Sequence, residues 1–64
     1  MKIILRNPRR EVELSGVRRV AEVFRRLDLV PESYLVIRSG ELVTPEESVS
    51  DEDVLELRPV ISGG

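Results

Sequence analysis

The apolar residues of this chain change their spacing twice within 64 positions. From Arg10 to Leu14 they alternate, with Val12 and Leu14 on one side and Glu11 and Glu13 on the other. A period of two belongs to a strand with one buried face. After Ser15-Gly16 the period lengthens. Val17, Val20, Ala21, Phe24 and Leu27 then form one stripe of an amphipathic helix, and Arg18, Arg19, Glu22, Arg25 and Arg26 fill its other face. Glu22 stands four residues before Arg26, the favourable order for an ion pair on a helix. Asp28 and then Pro31 stop the helix near Leu27. Strand spacing returns at Tyr34–Arg38 and again at Val54–Arg58, where Leu55 and Leu57 point inward and Glu56 and Arg58 outward. A single helical stripe among strands is buried best against a sheet, so the chain reads as an α+β domain.

The segments between these elements complete the order. Residues 2–6, KIILR, suit a strand buried on both faces. Asn7-Pro8-Arg9 turns that strand back, since Pro8 lacks a backbone donor, and a first hairpin covers residues 2–14. Ser39-Gly40 marks a turn into Glu41-Leu42-Val43. Thr44-Pro45-Glu46-Glu47 reads as a loop or one short helical turn, and Ser50-Asp51-Glu52-Asp53 as a polar turn. The last strand ends near Pro59. The order is β-β-α-β-β-β, with one helix packed on a mixed four- to five-stranded sheet. That is the β-grasp, ubiquitin-like pattern, with a domain over residues 1–59 and a flexible tail over 60–64.

Size and composition remove most kinds of chemistry. A chain of this length buries only about 60% of the surface it exposes when unfolded, which leaves little room for an enclosed active site. There is no cysteine and no histidine. Disulfides, thiolate metal sites, cysteine nucleophiles and imidazole acid–base catalysis are thereby excluded. The pairs Glu46-Glu47 and Asp51-Glu52-Asp53 match no EF-hand loop and lack its turn glycine, so they read as a solvated acidic face with no metal and no bound cofactor. The N-terminal apolar run is too short for a signal peptide, and no stretch approaches the ~20 apolar residues of a membrane span. A cytoplasmic protein that does not engage membranes is expected.

Charge is unevenly placed. Residues 1–30 carry eight basic and four acidic side chains, a balance of +4; residues 31–64 carry two basic and eight acidic, −6; together these give the net −2. Nine of the ten basic residues are arginine, and glutamine is absent. Many charges and few thermolabile side chains point to a thermophilic source. Arg9, Arg10, Arg18, Arg19, Arg25 and Arg26 could form a basic patch, but no aromatic set interleaves with them and the pI is near 5.1. A solvated face is expected, without direct nucleic-acid binding.

The end of the sequence carries the function. After Pro59 come Val60, Ile61, Ser62, Gly63 and Gly64. Residues without a Cβ pass through narrow channels and adopt backbone angles closed to others, so a Gly-Gly end suits a carboxylate that must reach into another protein's site. An extended tail can also pair its main chain with a partner as an added strand. Val60 and Ile61 are apolar where a frayed end is usually polar, and they read as side chains that fill partner pockets.

The whole chain resembles the ThiS/MoaD family of ubiquitin-like sulfur carriers. The resemblance is carried by Ile61-Ser62-Gly63-Gly64, by Ser50-Asp51-Glu52-Asp53 before the last strand, and by Pro31-Glu32 leading into Tyr34–Arg38 and Ser39–Val43. Ile4-Leu5-Arg6-Asn7-Pro8 and the Ile-Ser-Gly-Gly ending lean to the TtuB/ThiS branch. The resemblance implies that the first and last strands lie side by side and parallel at the centre of the sheet. It also implies that Gly64 is the site of adenylation and thiocarboxylate formation, with Gly63, Ser62, Ile61 and Val60 as the recognised tail. The implied partners are an ATP-using, ubiquitin-activating-like adenylating enzyme, a sulfurtransferase or cysteine desulfurase as sulfur donor, and a sulfur-acceptor enzyme such as a tRNA thiolase or thiazole synthase. The carrier itself is then not an enzyme, and is a monomer when free. Synthesis of tRNA 2-thiouridine is the expected destination. Thiazole and molybdopterin synthesis, or attachment to target-protein lysines as a covalent modifier, use the same activated carboxylate.

Overall fold

The computed structural model describes residues 1–6 and 8–60. Strand β1 spans Lys2–Leu5, β2 Arg10–Glu13, helix α1 Val20–Leu27, β3 Tyr34–Arg38, β4 Glu41–Val43 and β5 Val54–Pro59, with a 3₁₀ turn at Pro31–Ser33. One five-stranded sheet holds them in the order β2-β1-β5-β3-β4. β1 and β5 are parallel, with Lys2 opposite Val54 and Leu5 opposite Leu57; every other pair is antiparallel. The β-grasp order and the central parallel pair expected from the sequence are both present.

The core forms where α1 covers one face of the sheet. Ile3, Val36, Leu55 and Leu57 rise from the strands to meet Val20, Val23 and Phe24 of the helix, and Met1 and Val17 close the cluster. The helix stripe is Val20, Val23, Phe24 and Leu27, spaced i, i+3, i+4, i+7. It differs from the sequence reading at three points: α1 begins at Val20, so Val17 is buried ahead of the helix; Val23 joins the core; and Ala21, expected in the stripe, is only half-buried and stands outside the core.

The late start has a cause. Arg18 and Arg19 are held by the loop after β4 (residues 44–49). Val49 N–H donates to Arg18 O (2.9 Å), Val20 N–H to Glu47 O (3.1 Å) and Ala21 N–H to Pro45 O (3.0 Å). The first helical donors, which lack partners inside the helix, are thus met by carbonyls from about 25 residues further along the chain. Glu22 does not pair with Arg26 as its spacing suggests. Its Oε1 accepts the Arg18 N–H at 3.0 Å, and Arg26 donates to the Ser15 carbonyl at 3.2 Å. The bond from Arg18 is the main reason the Glu22 carboxyl lies below a glutamate's ordinary value, with the charges of Arg25 and Arg26 assisting. At the far end Asp28 takes the left-handed conformation (φ 57°) and ends the helix.

Arg38 fastens the same loop from the sheet. It reaches the Ser48 carbonyl at 2.8 Å, Glu47 at 3.2 Å and Asp53 at 3.7 Å. Asp53 also accepts the Ser50 N–H (2.8 Å), and Asp51 accepts the Gly16 N–H (3.1 Å). Glu47, Asp51 and Asp53 therefore close turns and tie segments together. Ser39 (φ 53°) and Gly40 (φ 81°) both have positive φ, the geometry of a type I′ hairpin between β3 and β4. No helix among the described residues is long and apolar enough to cross a membrane.

Candidate functional site

The chain leaves the sheet from its middle. β5 lies between β1 and β3, and Leu55 and Leu57 hold it by side chains that are 0% exposed. Pro59 is opposite Tyr34 in the last pair, and one further bond, Val60 N–H to Ser33 O at 2.9 Å, ties the chain after the strand. Val60 is thus fixed through its backbone while its side chain is 45% exposed. Ile61, Ser62, Gly63 and Gly64, the rest of the expected tail, lie outside the described residues.

The sheet face away from α1 is the ground in front of this exit. The pairing register places Ile4, Glu56, Arg58, Leu35, Ile37, Val54 and Leu42 on it. Leu35, Val54 and Leu42 are exposed, and Ile4 and Ile37 are half-buried. β1 is therefore not buried on both faces, as its apolar run had suggested. A single helix covers one face only, so Ile3 is buried while Ile4 and Lys2 look to the open side. This apolar strip was missed in the sequence. Its trace was there, however: KIILR and YLVIR carry apolar residues at both odd and even positions, and a domain with one helix cannot cover both sets.

Charges border the strip near the exit. One oxygen of Glu56 accepts from Arg6 Nε at 2.8 Å and from Arg58 Nε at 3.1 Å. The hydrogen bond from Arg58, then that from Arg6, holds the Glu56 carboxyl below a glutamate's ordinary value of 4.5. Among the six arginines of the possible basic patch, Arg9 is engaged with Glu11 at 3.1 Å and Arg26 with the Ser15 carbonyl. No group of acidic side chains among the described residues is arranged to hold a metal ion. What the geometry provides is a central strand held by buried leucines and tied as far as Val60, and an uncovered apolar strip on the open face of the same sheet.

Comparison with known proteins settles the family. The model of the ThiS family matches residues 3–64. The chain belongs to the ThiS family. It is also 46% identical over 65 residues to the sulfur carrier protein TtuB of Thermus thermophilus, an alignment that covers all of both chains. The source of that relative agrees with the charge-rich, glutamine-free composition.

Proposed function

We propose that this chain is a sulfur carrier whose Gly64 carboxylate is the group that is loaded, with tRNA 2-thiouridine synthesis as the destination. The similarity to the sulfur carrier protein TtuB along the full length of both chains carries the reading, and the delivery of the chain end by β5 supports it. An adenylating enzyme joins the Gly64 carboxylate to the AMP part of ATP and releases pyrophosphate. A persulfide sulfur from a sulfurtransferase or cysteine desulfurase then displaces AMP. A second thiol of the partner then attacks the donor sulfur of this acyl disulfide, forming a disulfide with it and releasing the thiocarboxylate. On the acceptor enzyme the thiocarboxylate sulfur displaces a leaving group from the activated acceptor, and water then cleaves the acyl–sulfur bond, leaving the sulfur on the acceptor and returning Gly64 to a carboxylate. With no cysteine and no histidine, the carrier is a substrate of these steps, and Val60 to Gly63 serve as its recognised handle.

The test is intact mass after incubation with the adenylating enzyme, ATP and a persulfide donor. The mass should rise by the difference between one sulfur and one oxygen. It should stay unchanged when Gly64 is deleted or one residue is appended. Loading of an extended or shortened tail at full rate would sink the assignment of Gly64. Transfer of the sulfur to tRNA, rather than to a thiazole or pterin precursor, decides the destination.

A further inference from the structure

β4 stops short of its neighbour. Its three residues pair with Val36, Ile37 and Arg38, whereas β3 begins two residues earlier, at Tyr34. The cause is Pro45. The bond from Val60 N–H to Ser33 O fixes the alternation along β3: Ser33 and Leu35 aim their backbone groups at β5, and Tyr34 aims its own at the β4 side. The Tyr34 N–H closes back on the Pro31 carbonyl. The Tyr34 carbonyl is left looking toward the position that Pro45 would take if the β4 register ran on, and proline has no N–H to give. The sheet edge therefore has a notch.

Around the notch lies a hollow of about 320 Å³ with apolar walls, among them Phe24, Pro31, Tyr34, Leu35, Leu42 and Pro45. No basic residue lines it. Three carboxylates adjoin the lining residues in the chain: Glu32 beside Pro31, Glu41 beside Leu42 and Glu46 beside Pro45. All three are exposed, and none forms an ion pair with another described residue. This separates them from Glu11, Glu47, Asp53 and Glu56, which are each engaged by a cation of the same domain.

We propose that the notch docks an extended segment of a partner protein that carries an apolar side chain between basic ones. The segment continues the sheet where β4 ends, giving a main-chain N–H to the Tyr34 carbonyl. Its apolar side chain enters the hollow, and its lysines or arginines face Glu32, Glu41 and Glu46. The same carboxylates repel phosphate, so the occupant is a protein and not a nucleic acid. The surface adjoins the uncovered sheet face, with which it shares Leu35 and Leu42, and opens at the edge of the sheet beside the helix.

Titration of isotope-labelled protein with two blocked synthetic peptides, Arg-Val-Leu-Val-Arg and Glu-Val-Leu-Val-Glu, tests this by amide chemical shifts. The arginine peptide should shift Tyr34, Leu35, Leu42, Val43 and Thr44, and bind about three- to tenfold more tightly than the glutamate peptide at low salt. The double change Glu32→Lys with Glu46→Lys should reverse that order. Both residues are exposed, and the unperturbed spectrum of the variant confirms that it is folded. Equal affinity for the two peptides, shifts at Ile4, Ile37 and Val54 with none at Tyr34, Val43 or Thr44, or no shift up to the solubility of the peptide would each overturn the proposal. Shifts at the notch that depend on protein concentration without peptide would do so too, since the occupant would then be a second copy.

Discussion

Glu56 joins two arginines through one oxygen, and its consequence is a dependence on acid. Its carboxyl titrates below 4.5 in the folded chain, so the unfolded chain takes up the proton first. The stabilisation is complete above the ordinary glutamate value and is lost as pH falls through the lower, folded one. Glu22 acts in the same direction through its bond from Arg18. Urea midpoints should therefore hold steady from about pH 7 to about pH 5 and then decline, with a shallower decline in Glu56→Gln. Leu57, fully buried, tests the core: Leu57→Ala should cost about 2–5 kcal/mol, a large share of what a small domain has. Leu42, 66% exposed, should change stability by about 0.5 kcal/mol or less when cut to alanine. For the tail, Val60→Asp should leave the melting temperature unchanged and slow adenylation by one to two orders of magnitude, roughly the worth of burying one such side chain. A fall in melting temperature would instead place Val60 in the domain's own packing. Inward residues such as Leu55, Leu57 and Val12 were legible in the sequence because alternation marks them directly. The partners of Glu22 and Arg26 were not, because spacing along a helix says nothing of a backbone donor just outside it.

At the scale of elements, α1 and the loop of residues 44–49 form a unit that propensity does not foresee. α1 has no side-chain cap at its N-terminus; its first donors rest on Glu47 and Pro45. Arg38 holds that loop to β3. Arg38→Ala should thus act at a distance, lowering stability by about 1–3 kcal/mol and speeding hydrogen exchange at the Val20 and Ala21 amides more than at β5. Equal exchange rates in variant and parent would show that the loop holds its place unaided. The strands and the turn at Ser39-Gly40 were legible because each is written in adjacent residues, whereas the type of that turn came from its two positive φ angles. The start of α1 was not, because it is set by residues on the far side of two strands. The sequence reading placed the functional segment at the chain's end from its glycines, and overlooked the apolar strip on the open face. Finding that strip requires knowing how many faces a lone helix can cover.

Across the whole molecule, the parallel pairing of β1 with β5 has a mechanical meaning. The chain enters β1 at Lys2, opposite Val54, and leaves β5 after Pro59, at the other end of the pair. Tension between the two ends therefore runs along the strands in opposite senses. It loads the rungs of the ladder together, in shear, and does not peel them one at a time. A partner that draws on the tail pulls against the strongest axis of the domain, while a pull across the β3–β4 hairpin would open its rungs in turn. Single-molecule stretching from residues 1 and 60 should need distinctly more force than stretching from residues 36 and 43, the open end of the hairpin. The domain is in this sense a handle: a grip on the tail moves the body as one piece, and the unfolding rate under load sets how long it does so.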